Sequence, residues 1–163
     1  MGKIARNPLK EQVLMSKLIQ AIKTLGLSEF YFSLSIDDKA ELAKYSKYLI
    51  FPSDILSHCS AECERCFVVS NGAQFLWATA ANAIPHRKYN FAERLLSHAL
   101  NIAVENDDFA WIHANLAQLY YDRHKIDPDA CLKAMHHCDE LIRLGFMKSW
   151  AQNMMEDLVV FQL

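Results

Sequence analysis

Apolar residues recur along this chain at steps of three and four. Leu9, Val13, Leu14, Leu18, Ile22 and Leu25 open the pattern, and their spacing predicts an amphipathic helix over 8–25. Pro8 suits its first turn and Gly26 its end. The next segment, LSEFYFSL, alternates as a strand does but has no evident strand partner, so it is read as a packed connector. Ser35 and Asp38 form a capping box, in which a hydroxyl takes an orphan backbone N–H and a carboxylate returns the bond. That predicts a helix from about 36 to 50, ended by Pro52. Ser53 caps a further helix over about 54–70, terminated by Asn71-Gly72. Helices then follow at 73–84, stopped by Pro85, and at about 91–105, where Asn90 and Glu93 repeat the capping-box pattern. The last three span about 108–123, 128–144 (Asp127 as cap, Pro128 at the first helical position, Gly145 as stop) and roughly 147–161. With no convincing strand pair, these eight helices and their short joints predict an all-α fold in one domain, 1–163.

Composition supports this class. Only four glycines and four prolines occur in 163 residues, which disfavours a turn-dense β fold, and the 52% apolar content suits a folded core. Formal charge is −2, from 17 basic and 19 acidic residues spread along the chain. That balance supplies no strong field for steering nucleic acid or an anionic membrane, so neither is expected as a partner. The opening MGKIARNPLK has no apolar signal core, and no apolar run approaches a membrane span. The expectation is a cytoplasmic chain whose five cysteines stay reduced.

An internal repeat organises the second half. Ala92, Leu95, Leu96 and Ala99 fall on Cys131, Ala134, Met135 and Cys138 at a constant offset of 39. Trp77, Ala78 and Ala81 fall on Leu116, Ala117 and Tyr120 at the same offset, and Trp111 falls on Trp150. Small residues on one face let paired helices approach closely, and large ones fill the remaining gaps. NLAQLYY, residues 115–121, resembles the first-helix signature of the tetratricopeptide repeat family. The small-x₂-large-large-x₂-small run at 92–99 is similar to that family's second helix. The resemblance covers about 73–161 and departs from the family in its longer spacing and in lacking the proline that closes each repeat. Residues 1–70 share only helical character with it. It implies antiparallel hairpins stacked as a tetratricopeptide-like right-handed superhelix.

The resemblance also implies a concave groove for a peptide or a partner helix. Carried over residue by residue, the groove takes Phe75, Thr79 and Asn82 from one hairpin. The next supplies Trp111, Ala114, Gln118, Tyr121 and Asp122, and the terminal helix supplies Trp150, Asn153 and Asp157. Chaperone-binding members of the family grip a C-terminal carboxylate with lysines, which these positions lack. Here the lining is aromatic and mildly acidic, suited to an anchor residue and a basic partner group.

One stretch points elsewhere. HCSAECERCF places Cys59, Cys63 and Cys66 at C-x₃-C-x₂-C, which resembles the cluster-binding motif of radical S-adenosylmethionine enzymes. Thiolates so spaced on a helix share a face and suit zinc or an iron–sulfur cluster. Yet Leu56, Cys59, Cys63 and Cys66 also step as a buried helical seam does, with cysteine acting as a small hydrophobe. Arg65 stands where that enzyme family has an aromatic residue, and the family's α/β barrel is larger than this chain. The seam is the preferred reading.

His136-His137 shows no metal-protease spacing, and no nucleophile elbow or glycine-rich phosphate loop occurs. PHRKYNFAER, the densest basic stretch, reads as a solvated connection. The chain is therefore expected to be a non-catalytic protein-interaction module without cofactor or metal, an adaptor, chaperone or inhibitor-type partner. The runner-up is a metal-binding or redox-sensing protein using Cys59, Cys63 and Cys66. The apolar close DLVVFQL predicts either packing back on the core or a homodimer contact through the C-terminal helix.

Overall fold

In the computed structural model, residues 8–47, 49–50 and 67–162 are described. They are helical throughout except for the joints and one two-residue parallel ladder, so the fold is all-α. The chain divides into two compact units, residues 1–72 and 73–163.

The first unit holds α1 (Pro8–Thr24), α2 (Ser28–Ser33) and α3 (Ile36–Ser46). Thr24 Oγ1 donates to the Gln20 carbonyl at 2.9 Å in the last turn of α1. The chain then leaves through Gly26 in the left-handed region (φ 73°), with the Leu27 N–H closing on the Ile22 carbonyl. Among the described side chains of these helices and their joints, the buried apolar ones are Ala21, Ile22, Leu27, Tyr31, Leu34, Leu42 and Tyr45. Ser35 caps α3 as its sequence predicts, its hydroxyl accepting from the Asp38 N–H at 3.1 Å.

Three expectations for this unit are corrected. The segment read as a connector is helical over Ser28–Ser33, because Leu27, Tyr31 and Leu34 turn inward at helical rather than alternating spacing. The helix expected to reach about 50 stops at Ser46, and Leu49–Ile50 pairs in parallel with Phe67–Val68 (β1 and β2). β-branched and aromatic residues favour that extended backbone. The end of the expected 54–70 helix is thus strand, while its earlier part, with Cys59, Cys63 and Cys66, lies outside the described residues.

The second unit holds α4 (Gly72–Ala83, whose first residue belongs to the first unit), α5 (Tyr89–Ile102), α6 (Asn106–Arg123), α7 (Asp129–Leu144) and α8 (Lys148–Gln162). Pro85 does stop α4, through a 3₁₀ turn over Ile84–His86 that ends with Arg87 left-handed (φ 61°). That turn sets where α5 begins: Lys88 occupies the cap without a side-chain bond, in place of the expected Asn90 box. Asp127 Oδ1 accepts from the Asp129 N–H at 3.1 Å to open α7. Gly145 (φ 71°) closes it, with the Gly145 and Phe146 N–H groups returning to the Ile142 and Leu141 carbonyls.

Side-chain contacts fix the helix directions. Tyr120, late in α6, donates to Glu93, early in α5, at 2.6 Å. Cys131, early in α7, donates weakly to the Leu158 carbonyl, late in α8, at 3.6 Å. His113 of α6 meets His137 of α7 at 2.9 Å, while Tyr120, later in α6, lies under Lys133, earlier in α7. Helices α5/α6, α6/α7 and α7/α8 therefore pack antiparallel, and α6 runs parallel to α8. Three of the four pairs in this repeat agree in burial: Ala92, Leu95 and Ala99 are sealed from solvent, as are Cys131, Ala134 and Cys138, whereas Leu96 is sealed and its counterpart Met135 is only partly buried. Small side chains on facing helices allow this close approach.

Candidate protein-binding face

The expected groove residues separate into two groups. Phe75 and Thr79 are 1% and 0% exposed, and Ala114 is also buried, so these three present no surface to a partner. For α4 the reason lies in its sequence, GAQFLWATAANA, which is apolar almost all round, as a buried helix is. Thr79 satisfies its hydroxyl on the Phe75 carbonyl at 2.7 Å. Asn82, near the end of α4, is exposed. The remaining groove positions all keep accessible surface on α6 and α8.

On α6, Trp111, Asn115, Gln118 and Asp122 form one stripe at i, i+4, i+7 and i+11. Trp111 is 40% exposed yet packed against two other rings. Its ring stacks on Trp77 (centroids 5.4 Å apart, planes 13° apart) and meets Phe146 edge-on at 5.1 Å. Trp77 is anchored in turn by its indole N–H, which donates to the buried Asp108 carboxylate at 3.1 Å. Asn115 donates to the Trp111 carbonyl at 2.8 Å, and Gln118 donates to Asp122 at 2.7 Å. Tyr121 reaches across to α8 and donates to Asp157 at 3.3 Å. Burial and the Asp157 carboxylate both raise its phenol above the usual range. Trp150 is partly exposed; Asn153 and Asp157 are exposed. Sequence spacing did not single out Phe146 or the Asp108 anchor as neighbours of Trp111, since nothing local links residues 108, 111 and 146.

A second polar group lies between α6 and α7. His113 and His137 share a hydrogen bond between their Nδ1 atoms. Their ring centroids are 5.1 Å apart, close to the full length of the nitrogen separation plus two ring radii, so the nitrogens meet nearly head-on. One proton fits that line; a metal ion would need both lone pairs to converge away from it. Burial lowers the affinity of both rings for a further proton, and His113 and His136 push His137 down to about 3. Tyr120 stacks on His137 at 5.7 Å, and Lys133 lies 5.4 Å over the Tyr120 ring. The sequence hides this pair because its members lie 24 positions apart on two helices.

Burial also raises both described thiols, Cys138 to about 11, which keeps them protonated at neutral pH. Among the described residues no group of three or more His, Cys, Asp or Glu side chains is gathered as metal ligands. None of their helices is long and apolar enough to cross a membrane. The apolar close of α8 divides: Leu158 is fully buried, whereas Val159, Val160 and Phe161 stay 43%, 69% and 47% exposed.

No family model, no curated protein and no solved structure matches the chain.

Proposed function

We propose that residues 73–162 form a non-catalytic, tetratricopeptide-like protein-binding module whose contact surface is the α6–α8 face. Trp111 carries this reading. A large aromatic ring is kept at the surface by a buried tryptophan beneath it and a phenylalanine at its edge. Such a ring is pre-organised, so a partner gains its contact area at little cost in side-chain entropy. The repeat of buried small residues at an offset of 39 and the parallel course of α6 and α8 support the same reading. In a stacked-hairpin array, alternate helices line one side.

The test is capture of partner protein from lysate by the full chain and by its Trp111→Ala and Tyr121→Ala variants, with circular dichroism and thermal melting as controls for folding. The proposal expects both variants to stay folded and to lose the captured protein. Folded variants that capture it undiminished would refute the assignment of this face.

A further inference from the structure

We propose that the α6–α8 face receives one extended peptide segment carrying an apolar or aromatic anchor and a lysine or arginine about five residues apart. This rests on the protein-binding reading of the same face and adds the chemistry of its occupant.

The face is graded from end to end. At the start of α6 stands the exposed edge of Trp111, backed by Trp77 and Phe146. Midway, Asn115 and Gln118 each spend an amide N–H within the chain and leave the amide oxygen free to accept. At the far end stand the carboxylates of Asp122 and Asp157. Because α8 runs parallel to α6, it repeats the order, with Trp150 first, Asn153 in the middle and Asp157 last.

Each stage selects something in the ligand. The aromatic end takes an apolar side chain. Amide oxygens in the middle accept backbone N–H bonds, which an extended segment offers and a helix has already used. The acidic end favours a cation. Asp122 and Asp157 are bonded to neutral donors, Gln118 and Tyr121, so neither negative charge is offset there. Arg123, the cation next along α6, is turned to Glu93 of α5 at 3.6 Å. From Trp111 to Asp122 the helix rises about 16 Å, which an extended segment covers in about five residues.

The probes are fluorescein-labelled peptides in a Gly/Ser background with one Trp and one Arg, separated by about two, five or eight residues and made in both chain directions. Matched peptides carry citrulline, the neutral isostere, in place of Arg. Anisotropy titrations use the full chain. In at least one chain direction, the five-residue spacing is expected to bind about tenfold more tightly than the other spacings and than its citrulline match. The double variant Asp122→Asn/Asp157→Asn should erase the preference for Arg while still binding the citrulline peptide, and Trp111→Ala should weaken both peptides. Circular dichroism checks that each variant is folded.

Binding indifferent to spacing, or to Arg against citrulline, would overturn the proposal. So would a concentration-dependent dimer lost in Trp111→Ala, which would give the face to a second copy of the chain. If no peptide binds while Trp111-dependent capture of a protein persists, the occupant is wrong and the binding module stands. If that capture is independent of Trp111 as well, the module reading falls with it.

Discussion

Acid should loosen the second unit through one histidine pair, and the size of the effect follows from its surroundings. His137 is packed between the Tyr120 ring, His113 and His136, with Glu140 the favourable charge nearby. Its proton affinity falls from the ordinary value near 6.5 to about 3. The fold therefore holds the neutral ring, whereas the unfolded chain takes up a proton as pH drops below 6.5. Stability is complete above that value and is lost progressively between 6.5 and 3. Linkage puts the loss at about 1 kcal/mol at pH 6 and about 2 kcal/mol at pH 5, a sizeable part of the 5–15 kcal/mol typical of a domain. His113, depressed by burial as well, acts in the same direction. The assay is urea unfolding followed by tryptophan fluorescence at pH 7 and pH 5, for the native chain and for His137→Gln. The amide can still bond His113 but does not titrate. Contributions of the histidines that do not touch His137 cancel in the comparison, so the native chain should lose about 2 kcal/mol more than the variant. Equal losses would show that the pair does not hold His137 neutral.

Three further outcomes are expected. Gly145→Ala forces a Cβ into the left-handed turn that ends α7 (φ 71°) and should cost about 1 kcal/mol, read as a lower melting temperature. Asp108→Ala leaves the Trp77 indole N–H without its buried acceptor and should cost about 2 kcal/mol. It should also shift the tryptophan emission, and an unchanged spectrum and midpoint would count against the anchoring role. Cys131 and Cys138 should resist iodoacetamide in the native chain and react in urea, as peptide mass spectrometry can show, because both are sealed and protonated.

The helices that read most clearly from sequence are those with a broad apolar stripe and a chemical stop. Ser35, Gly26 and Gly145 mark their ends by mechanisms that need no tertiary partner. Ser28–Ser33 escaped because six residues span under two turns, too few for a 3.6 period to stand apart from alternation. The β1–β2 ladder escaped because parallel pairing joins segments distant in sequence. At the candidate face, the spacing of Trp111, Gln118 and Asp122 was visible, since one helix fixes it. That Phe75 and Thr79 would be sealed was legible only in the composition of α4, and the His113–His137 bond was not legible at all, because it depends on how α6 and α7 meet.

The Trp77–Trp111 stack gives the chain a built-in chromophore pair. Two indoles lying nearly parallel at 5.4 Å share their excitation, so their ultraviolet circular dichroism is that of a coupled dimer rather than of isolated rings. One ring is sunk below the surface and the other open to solvent. Whatever settles against the outer ring must tilt it, dry it or leave it alone, and each of those changes the coupled bands differently. The unlabelled protein can thus report both that Trp111 has been touched and whether the stack has held.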